Sequence, residues 1–150
     1  MNDYKISSVG IAFIKNEEGC RLKSYQDSVG VWTIGYGHTG SDVKPNQFIT
    51  AAKAEELLRD DLVKCESSIQ NRVKAHLTSN QVDALCSFIF NVGVGGFESS
   101  TLLRIINKDP NNEAITGQFA RWNKGTANKK KVVLSVLTAR RKRESELYFK

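Results

Sequence analysis

Glu18, Asp27 and Thr33 stand close together in one stretch of the chain. From Glu18 to His38 it reads Glu-Gly-Cys-Arg-Leu-Lys-Ser-Tyr-Gln-Asp-Ser-Val-Gly-Val-Trp-Thr-Ile-Gly-Tyr-Gly-His. Hydrolysis of a glycosidic bond needs a proton for the leaving oxygen and a water aimed at the anomeric carbon. Two carboxylates usually share that work, one protonated and one ionised. A hydroxyl can orient the water. Two acids and a hydroxyl of this kind are present here. The same three residue types at these spacings also occur as solvated surface groups, and the glycine-rich stretch can equally be a tight hairpin. The elements that carry the three residues decide between these readings.

Residues 6–18 carry Ile6, Val9, Ala12, Phe13 and Ile14 at helical spacing, which predicts a first helix. Ser7 or Ser8 can cap its start and Gly19 can end it. Glu18 then lies at the negative end of the helix dipole, beside Glu17, and both influences favour its protonated form. Helical spacing is lost from Leu22 to Thr39. Val31 to Tyr36 is rich in β-branched and aromatic residues, and Asp27-Ser28-Val29-Gly30 reads as a turn, so a hairpin is predicted over 22–39. Alternation puts Trp32, Ile34 and Tyr36 on one packed face. Val31, Thr33 and Gly35 fall on the other, where the missing side chain of Gly35 leaves room for a ligand.

Pro45-Asn46 marks a loop, followed by a long helix from about Ala51 with Thr50 as its cap. Thr78-Ser-Asn-Gln81 has the form of a capping box ahead of Val82, Leu85, Cys86 and Ile89. Gly93, Gly95 and Gly96 break the chain, and Ser99 or Ser100 starts a short helix that stops near Asp109-Pro110. Residues 112–122 and 130–148 read as helical, joined by a polar stretch around Gly125. The fold class expected is α+β, mostly helical. A small N-terminal lobe with a β-hairpin sheet (about 15–60) is joined by a long helix to a larger helical lobe (61–150 plus the N-terminal helix). The whole of 1–150 forms one domain.

Bulk properties agree with one ordinary globular domain: 150 residues, 40% hydrophobic and 25% charged. No apolar run approaches the roughly 20 residues that span a bilayer, so stable membrane insertion is not expected. The first residues lack the basic and apolar regions of a secretory signal, which implies synthesis in the cytosol. Cys20, Cys65 and Cys86 are an odd count without metal-ligand spacing and read as reduced thiols, with a redox role for Cys20 as the alternative. No Cys/His/acid cluster suits a metal, and no cofactor is implied. Residues 101–150 hold 12 Lys and Arg against 4 Asp and Glu. That imbalance points to an anionic partner, either nucleic acid or a bacterial envelope. The runs Lys129-Lys130-Lys131 and Arg140-Arg141-Lys142-Arg143 carry much of it. They read as solvated helix faces, because no nucleic-acid-binding motif accompanies them.

The Glu18–His38 segment closely resembles the signature of phage-type lysozymes, the endolysins of glycoside hydrolase family 24. Glu18-Gly19, Asp27 and Thr33 match, as does Thr-Ile-Gly-Tyr-Gly-His-Thr from Thr33 to Thr39. The resemblance continues through Asn80-Gln81-Val-Asp-Ala-Leu85, Phe90-Asn-Val-Gly93, Gly96-Phe97, Ser100-Thr-Leu-Leu103, Trp122, Arg140-Arg141 and Glu144. It covers nearly the full chain. One departure is visible: family members often carry Gly-Leu before the Arg-Arg pair, where this chain has Val136-Leu137 before Thr138-Ala139.

The resemblance implies a muramidase acting on peptidoglycan glycan strands at the β-1,4 bond from N-acetylmuramic acid to N-acetylglucosamine. Glu18 would be the general acid. Asp27 and Thr33 would hold or activate the attacking water, giving inversion. His38 would pair structurally with Asp61 on the long helix, with a role as a base the alternative. Asn91 and Ser100 match positions that line the sugar cleft, and Gly37 offers bare backbone to a sugar. The local readings remain open: Asn91 as a helix-end residue, Ser100 as a cap. Phe97 and Trp122 read as core. The resemblance further implies a monomer made in the bacterial cytoplasm that reaches the periplasmic wall through a holin, for host lysis by a phage or prophage. The basic patch would then meet envelope anions. A lytic transglycosylase is the second enzymatic reading, and a basic nucleic-acid-binding helical protein is the reading from another class.

Overall fold

The computed structural model describes residues 3–150. Helix α1 (Ser8–Glu18) starts at Ser7, whose hydroxyl accepts the Gly10 N–H at 3.3 Å. The backbone N–H and hydroxyl of Ser7 both donate to Asp83, at 2.8 and 2.5 Å. The helix start is thereby tied to α3 (Ser79–Val92). A Cβ on Gly10 would sit 2.5 Å from the Asp83 carboxyl carbon, so the two helices meet where a side chain is missing. This contact turns the helix. Gly10 and Ile14 form its buried face, while Val9 is 58% exposed and Ala12 is exposed as well. The apolar face expected from Val9 and Ala12 is therefore rotated, because the closest neighbour is a polar cap and not an aliphatic stripe.

Three antiparallel strands follow in the order β1 (Arg21–Gln26), β2 (Trp32–Gly35), β3 (His38–Thr39). The turn between β1 and β2 is closed by Asp27, whose Oδ1 accepts the N–H groups of Val29 and Val31 at 2.9 Å each. Ile34 packs with Val43 and Leu57 in a small cluster under the sheet. Gly35 departs from the expected alternation. With φ at +65° its missing Cβ faces Ala54 and Ile49, each 3.4 Å from where it would be. The room expected beside Gly35 is filled by α2 (Ala51–Arg72).

Helix α2 is capped by Thr50. Leu57 reaches the small cluster, and Leu58, Leu62, Cys65 and Ile69 reach the large one, so one helix spans both. Helix α3 starts with the capping box of Thr78 and Gln81 and is buried from Gln81 to Ile89. Helices α1, α2, α4 (Val94–Glu98) and α7 (Ser135–Tyr148) pack on it. Phe88 is met edge-on by Phe97, Phe119 and Trp122, with ring centroids 6.4, 5.5 and 5.7 Å away. Helices α5 (Thr101–Lys108) and α6 (Ala114–Ala120) complete this mostly helical α+β fold. Cys65 and Cys86 are buried in the large cluster, and burial, with Asp61 and Glu66 nearby, pushes the Cys65 thiol up to about 12. Cys20 is exposed. No helix among the described residues is long and apolar enough to cross a membrane.

The helical reading of 130–148 is wrong at its start. Residues 124–127 and 130–133 pair as a second hairpin, β4 (Lys124–Ala127) and β5 (Lys130–Val133). Its two-residue turn places Asn128 and Lys129 at φ +51° and +65°, the backbone of a type I′ turn. Asn is a usual residue there; Lys in place of Gly hides the signal. Val132 and Val133 belong to this strand, and the last helix begins only at Ser135.

Candidate active site

Glu18 is the last residue of α1, and Gly19 ends the helix with φ at +67°. The side chain of Glu18 is 16% exposed, and its Oε2 accepts a hydrogen bond from Arg140 Nη1 at 2.6 Å. Its other oxygen, Oε1, lies 2.5 Å from where a Cβ on Gly37 would be. The neighbouring carboxylate does not play the part expected of it. Glu17 forms a bidentate pair with Arg143, at 2.6 and 2.8 Å, so the charge in direct contact with Glu18 is a guanidinium.

Asp27 is exposed at the hairpin turn. Thr33 is 4% exposed and donates its hydroxyl proton to the Val31 carbonyl at 3.0 Å, which leaves its oxygen lone pairs as acceptors. Thr33 pairs directly with Tyr25 across β1 and β2. Directly opposed residues share a face, and Asp27 follows two residues after Tyr25. Tyr25 therefore has Thr33 opposite it, with Asp27 in the turn just past the end of β1. Burial pushes the Tyr25 phenol up. The Arg21 guanidinium, 4.1 Å from the ring centroid, opposes that shift, and the charges of Glu18 and Asp27 reinforce it. Both carboxylates thus act on one aromatic side chain. Tyr25 is not among the residues named from the sequence, because its facing Thr33 follows from the strand register.

Gly37, with φ at +71°, lines a recess together with Thr39, Asp61, Lys64, Phe90 and Gly93. Asn91 is exposed at the end of α3 and lines a separate recess with Arg121, Trp122, Lys124 and Lys131. Ser100 is 4% exposed. Its oxygen accepts the Leu103 N–H at 3.0 Å and its proton goes to the Phe97 carbonyl at 2.6 Å, so the hydroxyl is committed to capping α5. Neither Asn91 nor Ser100 lines the recess at Gly37. Phe97 is core, whereas Trp122 both packs on Phe88 and faces the recess beside Asn91.

His38 Nδ1 lies 2.7 Å from Asp61 Oδ2, and its Nε2 lies 2.9 Å from Asp42 Oδ2. Asp42 is a partner that the sequence reading did not name. Burial disfavours the charged ring, but the hydrogen bonds and charges of the two carboxylates outweigh it, and the pKa rises above the ordinary 6.5. Only the imidazolium can donate to both acids. Its contribution to stability is full below pH 6.5 and is lost as pH rises through the folded-state value. Melting curves should show a Tm that falls on the order of 2 °C above pH 6.5. His38→Asn should flatten that slope, and an equal slope in the variant would remove His38 as its source.

The basic run at 140–143 is a solvated face only at Lys142 and Arg143, which are exposed. Arg140 and Arg141 are 6% and 1% exposed, and Glu144 between them and α3 is fully buried. Arg140, Arg141 and Arg143 are all ion-paired, with Glu18, Glu144 and Glu17. The charges of Arg140 and Arg141 are spent inside the protein, and the exposed Arg143 is paired at the surface with Glu17, so the run offers no continuous cationic stripe to a nucleic acid. Lys129, Lys130 and Lys131 are exposed on the second hairpin.

The family model for phage lysozyme matches residues 15–144. The chain belongs to the phage lysozyme family. Similar proteins match it over nearly the full chain. The endolysin of Salmonella phage P22 is 44% identical over 148 residues, covering 96% of this chain and 97% of that protein. The solved endolysin of Escherichia coli O157:H7 phage FAHEc1 has a TM-score of 0.89 at 35% identity, covering 98% and 94% of the two chains. The muramidase domain of SpmX from Asticaccaulis excentricus has a TM-score of 0.88 at 37% identity, covering 98% and 99%. The chain is thus an enzyme of the lysozyme class, a peptidoglycan hydrolase with a lytic role.

Proposed function

We propose that this enzyme cleaves the β-1,4 bond between N-acetylmuramic acid and N-acetylglucosamine with inversion at the anomeric carbon. The observation that carries the reading is the two-sided setting of Glu18. One oxygen is anchored by Arg140 and the other borders the open backbone of Gly37. A glycosidic oxygen brought to that side would receive the proton of Glu18 as its bond to the anomeric carbon breaks. On the hairpin, Asp27 would take a proton from water while the free lone pairs of Thr33 accept the water's other hydrogen and aim it. The water oxygen bonds to the anomeric carbon from the face opposite the leaving group. Glu18 ends ionised and Asp27 protonated, and solvent exchange restores both.

In this reading the Gly37 backbone borders the scissile bond, Asn91 meets the strand or its substituents farther along beside Trp122, and Ser100 acts through the start of α5. His38 and Asp61 brace the wall of the recess. The enzyme works as a monomeric single domain without a cofactor. It is made in the bacterial cytoplasm and acts on the wall once a holin has opened the membrane.

Product analysis tests the chemistry. Early NMR spectra of products from purified glycan should show the α-anomer of a reducing N-acetylmuramic acid. A first-formed β-anomer would mean retention. A 1,6-anhydro sugar would mean a lytic transglycosylase, a reaction in which the muramic acid's own hydroxyl displaces the leaving sugar without water.

A further inference from the structure

Glu144 is a fully buried carboxylate that the proposed mechanism does not use. Its Oε2 accepts from the Ser87 hydroxyl at 2.5 Å, from Arg140 Nε at 3.2 Å and from Arg141 Nη2 at 3.0 Å. Its Oε1 lies 2.6 Å from Arg141 Nε. Two guanidiniums therefore converge on one buried acid. They then point in different directions. Arg141 turns inward, over the Phe88 ring and toward the Trp122 carbonyl. Arg140 turns outward to Glu18.

The guanidinium is planar, with its donors in a fixed fork. In Arg140, Nε is held by Glu144, and Nη2 lies 3.3 Å from both the carbonyl and the hydroxyl of Ser87. Two of its three nitrogens are thus held from inside the protein, and the third, Nη1, is left with one direction. That direction ends on Glu18 Oε2. We propose that Glu144, together with Ser87, is a positioning residue for the acid: it locks Arg140 so that one oxygen of Glu18 is held and Oε1 is presented at Gly37 as the proton-donating oxygen. This inference rests on the reading of Glu18 as general acid.

A buried ion cluster is a poor device for stability alone, since apolar residues of similar volume commonly do as well or better. Its use here is geometric. The acid sits at a helix end, where the chain turns away into β1, and among the described residues no side chain of the sheet hydrogen-bonds it. The grip comes from α7 across α3. Small displacements of a reacting group cost far more in rate than in binding.

The test compares steady-state kinetics and melting of Glu144→Gln, Arg140→Gln, the double variant and Ser87→Ala on soluble peptidoglycan fragments. Glu144→Gln should lower kcat about tenfold with KM within about twofold. In the Arg140→Gln background it should lower kcat by less than about twofold, because the two residues act through one contact. Ser87→Ala should lower kcat about threefold. Additive losses, or an unchanged kcat in Glu144→Gln, would overturn the positioning role and leave a packing role. If Glu144→Gln does not fold, Ser87→Ala decides, and an unchanged kcat there also overturns it. Glu18→Gln is assayed alongside. Full activity in that variant sinks the acid assignment itself. An inactive Glu18→Gln beside a fully active Glu144→Gln sinks only the positioning inference.

Discussion

Glu18→Gln should lose at least about 10³-fold in lytic rate while melting close to the wild type. General acid–base groups are worth about 10² to 10⁴ in rate. A sugar alkoxide is a poor leaving group, which favours the upper part of that range. The amide of Gln has no proton of useful acidity to give. It does keep an acceptor oxygen, so the hydrogen bond from Arg140 Nη1 can persist. Arg140 also keeps Glu144 and Ser87. The substitution therefore leaves no buried donor unpaired, and the expected change in stability is under about 1 kcal/mol. Turbidity loss of permeabilised Gram-negative cells measures the first quantity and thermal denaturation the second. A variant that lysed cells at the wild-type rate would remove Glu18 from the chemistry. A variant that lost its rate and several kcal/mol together would make Glu18 a structural residue.

Local rules carried most of the architecture. Ser7, Thr50, Thr78 and Ser100 each start a helix through a side chain that accepts a backbone N–H, and such caps are read from residue type and position alone. Asp27 closing its own turn is equally local. Two of the failures are places where a distant neighbour decides, and a third is local. The buried side of α1 is set by Asp83, far along the chain, and not by the aliphatic residues of the helix itself. The face of Gly35 is set by Ala54. The second hairpin was hidden because Lys129 occupies a backbone conformation that usually marks itself with Gly or Asn.

The site divides in the same way. Glu18, Asp27 and Thr33 could be named because they share one short stretch and one resemblance. Tyr25 and Gly37 lie in that same stretch, and only pairing across the hairpin shows that Tyr25 faces Thr33. Arg140 could not be found by spacing, since it meets Glu18 from the other end of the chain. Arg140-Arg141 and Glu144 do belong to the resemblance, and Glu144 stands three and four residues from the two arginines on a helix. That spacing brings opposite charges together, but nothing in it distinguishes a buried cluster from a solvated face. The charge balance of residues 101–150 was misleading for the same reason: Arg140 and Arg143 pair with Glu18 and Glu17, which lie outside that segment, and the charge of Arg141 is neutralised inside the fold by Glu144.

Gly37→Ala should lose about 10²-fold in kcat, along with about 1–3 kcal/mol of stability. The stability part has an intrinsic source. Gly37 sits at φ +71°, a backbone conformation that costs an L-residue roughly 1–2 kcal/mol. The kinetic part comes from contact. The new methyl carbon would lie 2.5 Å from Glu18 Oε1 and 3.6 Å from Phe90 Cε1. Phe90 can stay where it is, but the carboxylate cannot. It also cannot simply rotate away, because its other oxygen is held by Arg140 at 2.6 Å. Either that hydrogen bond breaks or α1 separates from the segment ahead of β3, and in both cases Glu18 leaves its place and a methyl group occupies the space in which the proposed mechanism puts the substrate. Gly35→Ala supplies the control. Its φ is +65°, its nearest neighbours are Ala54 and Ile49 at 3.4 Å, and Glu18 is not among them. It should lose similar stability but keep kcat per folded molecule. If Gly37→Ala behaved like Gly35→Ala, destabilised yet fully active, then Gly37 would serve the turn alone and the space beside Glu18 would not be where the bond is broken.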